Sequence, residues 1–184
     1  YKRQDQLAKL VTDAGVQLKT GFVGTPYLLH VLSDYGYVSL AWSLLLRENY
    51  PSWLYPITKG ATTIWEHWDG IMENGDFWIR DMNSYNHYAY GAVAAWVYGN
   101  AAGIRPLDGY PAYEKISVSP LPDKRLGWLS CSYRSRHGLI RSDWKLQGDQ
   151  WRYEIETPVD AVITIAGQKH EVAPGTWIFF SAVE

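Results

Sequence analysis

The hydrophobic period of this chain changes once, from helical to alternating, across a segment marked by Gly103, Pro106 and Gly109. Before it, apolar residues recur three and four apart. After it they alternate singly, so one chain must build two kinds of layer. Leu7, Leu10, Val11 and Ala14 predict a first helix that Gly15 stops. Thr25 before Pro26 predicts an N-cap with proline at the first helical position, opening a helix through Leu28, Leu29, Val31 and Leu32 that Gly36 breaks. A third helix is expected from Val38 to Asn49, closed by Pro51. Residues 50–60 contain Pro51, Pro56 and Gly60 and read as a loop. A short helix is expected from Thr63, an irregular stretch over 74–83, and a strong helix from about Ser84 to Ala102.

Beyond Pro106, alternation predicts strands over 116–119, 128–133, 138–144, 151–156, 159–165 and 176–180. Turn signals such as Pro120-Leu121-Pro122-Asp123, Gly148-Asp149 and Pro174-Gly175 separate them. About six or seven short strands at this spacing suggest an antiparallel β-sandwich. The expected class is therefore α+β with two domains, helical over 1–105 and β-sandwich over 106–184. A chain of 184 residues is long enough to bury a real core in one medium domain or two small ones.

Composition excludes several functions. A net charge of −2 with both signs dispersed leaves no basic footprint for nucleic acid or an anionic membrane. No apolar run reaches about 18 residues, so no membrane-spanning helix is expected. Cys131 is the single cysteine, so neither an internal disulfide nor a cysteine metal site can form. Its place in Leu129-Ser130-Cys131-Ser132-Tyr133 predicts a buried thiol. His30, His67, His87, His137 and His170 are scattered without ligand spacing, and no Gly-rich phosphate loop, HExxH or GxSxG occurs. Neither a metal nor a cofactor is expected. Tyr1-Lys2-Arg3-Gln4-Asp5 lacks an initiator Met and a signal-peptide core and opens inside a polar helical pattern, as if cut from a longer soluble protein. Cytoplasm, periplasm and the cell exterior all stay open for it.

The segment Ile64-Trp65-Glu66-His67-Trp68-Asp69-Gly70-Ile71-Met72 carries the chemistry. It sets two carboxylates among two indoles. Carboxylates perform acid/base work on an acetal oxygen, and flat rings stack on the apolar faces of pyranoses. On a helix Glu66 and Asp69 would share one face with Trp65 and Trp68 close by. The same spacing also makes Thr63-x-x-Glu66 a capping box, in which Glu66 only reaches a backbone N–H. Ten Trp and 14 Tyr against four Phe suit wet clefts as well as cores, since each joins an apolar face to a polar tip. About twenty residues on, Ser84 can cap the last helix with Asn86 and His87 in its first turn. There they could face Glu66 or sugar hydroxyls, or serve only as capping and surface residues.

Four ordered motifs resemble bacterial α-L-rhamnosidases of glycoside hydrolase family 78: Gly21-Phe22-Val23-Gly24-Thr25-Pro26, Tyr50-Pro51-Ser52-Trp53-Leu54-Tyr55, Gly60-Ala61-Thr62-Thr63-Ile64-Trp65-Glu66 and Asn86-His87-Tyr88-Ala89-Tyr90-Gly91. Pro120-Leu121-Pro122 and the strands after it look like that family's C-terminal β-domain, the likeness weakening after about residue 145. The resemblance implies the C-terminal portion of an (α/α)6 toroid followed by an antiparallel β-sandwich, and inverting removal of terminal α-L-rhamnose from glycosides or polysaccharides. It puts Glu66 at the general base and His87 at a residue that contacts the sugar or supports the base. Trp65, Trp68 and Asn86 become candidate sugar contacts. Where many members have Arg after the catalytic Glu, this chain has His67, which bears on the charge beside Glu66.

Inversion needs a general acid facing the base at roughly 6.5–9.5 Å. In the family that acid comes from the earlier half of the toroid, and about 105 residues supply only about four of its twelve helices. The expectation is thus a fragment with the base and without the acid, whose exposed helical surface is covered by another copy of the chain. Two other functions fit the same residues. One is a carbohydrate-binding or interaction module built on the sandwich, which would gather exposed Trp and Tyr on one strand face. The other is an (α/α)6 glycosidase for a different sugar.

Overall fold

The computed structural model describes residues 2–183. Helix α1 (Lys2–Asp13) buries Ala8 and Val11, one turn-spaced stripe, and ends where Gly15 takes φ +75°. Helix α2 (Thr25–Asp34) buries Leu28, Leu29 and Leu32. Its N-cap is Gly24, and Pro26 lies in the first turn. Thr25 does not cap. Its hydroxyl lies within 3.0 Å of the Thr20 and Gly21 carbonyls, tying the helix to the preceding loop instead. Helix α3 (Val38–Leu45) stops at Leu45 rather than Asn49 and buries Ala41, Trp42 and Leu44. The expected loop over 50–60 contains one helical turn, α4 (Tyr55–Thr58), with Pro56 in its first turn.

Two helical expectations are overturned. No helix follows Thr63, and the last helical run starts at Ala89 rather than Ser84. That run is 3-10 over Ala89–Ala92, α-helical as α5 (Val93–Trp96) and π over Val97–Ala101. The cause is the same for both. The Glu66 N–H donates to the Ser84 carbonyl at 2.9 Å and the His87 N–H to the Ile64 carbonyl at 2.8 Å. Main-chain hydrogen bonds between the two segments therefore use backbone groups that helices would need. Thr62, Thr63, Ile64 and Trp65 favour this, because β-branched and aromatic side chains lose rotamer freedom in a helix. The Thr63 hydroxyl donates to the Tyr85 carbonyl, so there is no capping box. Ser84 accepts the Asn86 N–H on its own hydroxyl, a local turn and not a helix cap.

The chain divides into two compact units, Tyr1–Ala95 and Trp96–Glu184. The second unit holds two four-stranded sheets. One is ordered β1-β2-β6-β7 from β1 (Ile104–Pro106), β2 (Ile116–Val118), β6 (Ala161–Ile165) and β7 (Gln168–Val172). The other is ordered β3-β4-β5-β8 from β3 (Trp128–Ser135), β4 (Gly138–Gln147), β5 (Gln150–Thr157) and β8 (Gly175–Ala182). Pairing is antiparallel except between β2 and β6, a departure from the all-antiparallel expectation. Ile116, Val118 and Ile163 from one sheet and Ile140, Trp144 and Ile155 from the other are fully buried, the period-2 pattern of a sandwich core. Buried side chains also bind the end of the π run: Trp144 Nε1 donates to the Ala101 carbonyl at 2.9 Å and Ser142 Oγ to that of Ala102 at 2.7 Å. Those carbonyls have no partner within the helix, so the sheet satisfies them.

Candidate functional site

All four motifs converge in the first unit on one aromatic cluster. Trp68 stacks on Tyr90, ring centroids 3.7 Å apart and planes 18° apart, and meets the edge of Trp53 at 5.5 Å. Trp53 Nε1 donates to the Tyr90 carbonyl at 2.9 Å, fixing the 3-10 turn. Phe22 covers Tyr90 at 5.1 Å and lies parallel to His87 at 4.9 Å. His87 is stacked on its other neighbour, Tyr88, at 5.7 Å, and its Nδ1 accepts the Ala89 N–H at 3.4 Å. With Nδ1 accepting, the neutral ring carries its proton on Nε2.

Glu66 sits at the rim of this cluster. Its Oε2 accepts the Ser84 N–H at 3.1 Å while Oε1 lies 4.0 Å from His67 Nε2. Both side chains are 31% exposed, so one carboxylate oxygen is held and the other is reachable by water. His67 is fixed from the far side by Trp78, ring centroids 3.9 Å apart. Trp78 comes from a small hairpin, in which Ile71 bridges Phe77 and the Trp78 N–H donates to the Gly70 carbonyl. The Tyr85 hydroxyl and Asn83 Nδ2 brace that same carbonyl at 2.7 and 3.1 Å.

Of the residues singled out by sequence, Trp65 is only 5% exposed and packs edge-on to Tyr85. Trp68 is half-buried and Asn86 exposed. Glu66 and His87 are joined through main-chain pairing of their segments. Asp69 does not share a helical face with Glu66, since no helix forms there. Its charge is felt by Tyr50 and Tyr90, whose phenols burial pushes up and the Asp69 carboxylate pushes further. Asp76 accepts from Asn74 Nδ2 at 2.9 Å within the hairpin turn. The sequence assigned no role to Phe22, Trp78, Asn83 or Tyr85, although Phe22 stands within a family motif. Asn74-Gly75 between Ile71 and Phe77 was the hairpin signal available for Trp78. A cavity of about 50 Å³ lies among Trp53, Trp65, His67, Trp68 and Tyr90. Among the described residues no group of three or more His, Cys, Asp or Glu could hold a metal ion, and no helix is long and apolar enough to cross a membrane.

Residues 1–101 match the bacterial alpha-L-rhamnosidase 6 hairpin glycosidase domain, and residues 103–174 match the bacterial alpha-L-rhamnosidase C-terminal domain. The chain belongs to the bacterial α-L-rhamnosidase family. An α-L-rhamnosidase of Streptomyces avermitilis is 43% identical over 141 residues, 77% of this chain and 14% of that protein. One of Formosa agariphila is 38% identical over 162 residues, 88% of this chain and 17% of that protein. The crystal structure of the Streptomyces avermitilis α-L-rhamnosidase complexed with L-rhamnose superposes with a TM-score of 0.90 at 34% identity, covering 97% of this chain and 19% of that one. The native α-L-rhamnosidase of Aspergillus terreus gives 0.90 at 29% identity, covering 96% of this chain and 21% of that one. Against α-L-rhamnosidases this chain therefore spans about a sixth of the curated relatives' length. In rhamnosidase terms it carries part of the six-hairpin domain and the C-terminal domain, which fits the α+β fold class.

Proposed function

We propose that this chain serves a glycoside hydrolase that removes terminal α-L-rhamnose with inversion, and that Glu66 is its general base. The observation carrying this is the state of the Glu66 carboxylate. One oxygen is fixed by the Ser84 N–H and the other is open beside His67 in a half-buried setting. A base must be oriented yet keep a lone pair for water. In the reaction Glu66 takes a proton from water, the water oxygen bonds the anomeric carbon from the side opposite the leaving group, and the glycosidic bond breaks. The leaving oxygen takes a proton from a general acid other than Glu66. His87, held between Phe22 and Tyr88 with Nε2 as its donor, supports the sugar or the base. Trp68 and Asn86 are the sugar contacts on this face, and Trp65 holds the segment from beneath.

Glu66→Gln in the complete enzyme tests the base. Glutamine keeps an acceptor for the Ser84 N–H, so the fold survives while proton uptake is lost. Turnover of an aryl α-L-rhamnoside should fall at least about 10²-fold. Proton NMR of the unmutated enzyme should show the β-anomer of rhamnose as first product. Near-normal hydrolysis by the variant would overturn the assignment of Glu66, and an α-anomer first product would overturn inversion.

A further inference from the structure

Within the second unit, the outward face of the β3-β4-β5-β8 sheet carries a second constellation. Register aligns Trp128, Lys145, Arg152 and Phe180 in one row across the four strands, and Ser130, Asp143, Glu154 and Ile178 in the next. With strands about 4.8 Å apart, the first row runs about 14 Å from indole to phenyl. Trp128 is 62% exposed and Phe180 57%, at opposite ends of a polar centre. Three acidic and basic side chains there have partners. Arg152 Nη2 donates to Glu154 Oε2 at 2.7 Å, Asp143 Oδ1 accepts the Cys131 N–H at 3.2 Å, and Arg141 lies 3.9 Å from Asp143. A trough of about 380 Å³ opens over Trp128, Asp143, Lys145, Arg152 and Glu154.

We propose that this trough binds a neutral glycan, with a pyranose ring stacked on Trp128 and its hydroxyls held by Asp143, Lys145, Arg152 and Glu154. An exposed indole offers a broad apolar face to the C–H face of a sugar ring. Hydroxyls both donate and accept, so they need carboxylates and cationic N–H groups together; Lys145 and Arg152 in one row and Asp143 and Glu154 in the next supply both. Two carboxylates against two cations leave no net charge, and the next row pairs Arg141 with Glu156 in the same way. A phosphate, a uronate or a nucleic acid would meet as much repulsion as attraction. The volume falls in the range of small-ligand sites, about 300–1,000 Å³, where a flat protein interface would leave no trough. Because Arg152 is already paired with Glu154 and Asp143 is held by the Cys131 N–H, little ordering of these side chains opposes binding. The site lies inside Trp96–Glu184 and does not depend on the role of Glu66.

Native-gel electrophoresis of the 184-residue chain through arabinogalactan, galactomannan, xyloglucan or mixed-linkage β-glucan tests the proposal, with polygalacturonate as the acidic comparison. At least one neutral polysaccharide should retard the chain, and Trp128→Ala should weaken that retardation about ten-fold. Trp128 is solvent-facing, so its loss should leave the urea unfolding midpoint in place. Arg152→Met, which keeps the stem and removes the donors, should weaken retardation as well. Glu66→Gln should retain it in full. The proposal is overturned by no retardation in any neutral gel, by retardation in polygalacturonate alone, or by retardation that Trp128→Ala leaves intact. It is equally overturned if Glu66→Gln abolishes retardation. A Trp128→Ala chain that changes its mass in solution while keeping its retardation would instead mark the face as a protein interface.

Discussion

The Glu66 carboxylate is oriented by the N–H of Ser84, eighteen positions further along the chain. Its nature as the residue of interest was legible in the sequence from two indoles flanking an acid and from the family motifs. Its partner was not, because a main-chain donor leaves no mark on residue identity. Trp65 illustrates the opposite limit: an indole beside a carboxylate reads as a sugar contact, yet in this structure it is buried edge-on to Tyr85. Cys131 was legible from alternation alone, and it gives a prediction with a sign. Burial pushes its thiol up, and the Asp143 carboxylate adds to the shift. The folded state thus keeps a proton that the unfolded chain releases near the ordinary thiol pKa, about 8.5. Below that pH the contribution to stability is complete, and it declines as pH rises through the folded value. Urea midpoints should fall between about pH 8 and 10 in the native chain and fall less in Cys131→Ala. A thiol reagent reacting with the folded chain as fast as with the urea-unfolded chain at pH 8 would refute the burial argument.

At the scale of elements, strands were read better than helices after residue 60. Alternation is local, and β3 to β6 lie where it put them. Strand β7 escaped notice because Gln168-Lys169-His170-Glu171-Val172 is polar on both faces. The helix expected at Thr63 failed because pairing with a distant segment outcompeted a local pattern. Where the sequence marked a break, it marked it well, and Gly103 shows why. Its φ is +75°, and an added Cβ would stand 2.2 Å from the Ser119 carbonyl carbon, with no flexible side chain to yield. Gly103→Ala should therefore destabilise the chain by about 3 kcal/mol or more, combining backbone strain with overpacking. Gly21, with nothing within 4 Å of its added Cβ, is the control, and Gly21→Ala should change stability by less than about 1 kcal/mol. Equal urea midpoints for the two variants would show that Ser119 and its neighbours move aside. Gly70→Ala sits between these extremes, since its Cβ would press on the Trp65 and Tyr85 rings at 3.1 and 3.2 Å. A loss of about 1–3 kcal/mol is expected there.

For the molecule as a whole, exposed apolar side chains and an undersized cavity point the same way. Val23, Tyr27, Ile57, Met82 and Tyr88 are exposed on the first unit, and such surface seldom stays bare where it is contiguous. Self-association through them is expected, and light scattering that finds a monomer across a hundredfold concentration range would exclude it. The cavity of about 50 Å³ beside Trp65 and Trp68 is far below the 300 Å³ or so of a small-molecule site. If Trp68 supplies one wall of a rhamnose site, as proposed, the remaining walls must come from outside this cluster. The proton for the leaving group faces the same difficulty: Asp69 follows Glu66 on the same segment and does not face it across a sugar, and Asp76 is taken up by its own turn. The 184-residue chain by itself should therefore leave a rhamnose-containing disaccharide intact, since deprotonating water is of little use while the leaving oxygen stays unprotonated. An activated aryl rhamnoside removes that need, so comparing the two substrates separates a missing acid from a missing pocket. Slow turnover of the aryl substrate alone, lost in Glu66→Gln, would show a working base without its acid. Turnover of the disaccharide that also disappears in Glu66→Gln would show a complete acid/base pair within this chain and refute the expectation.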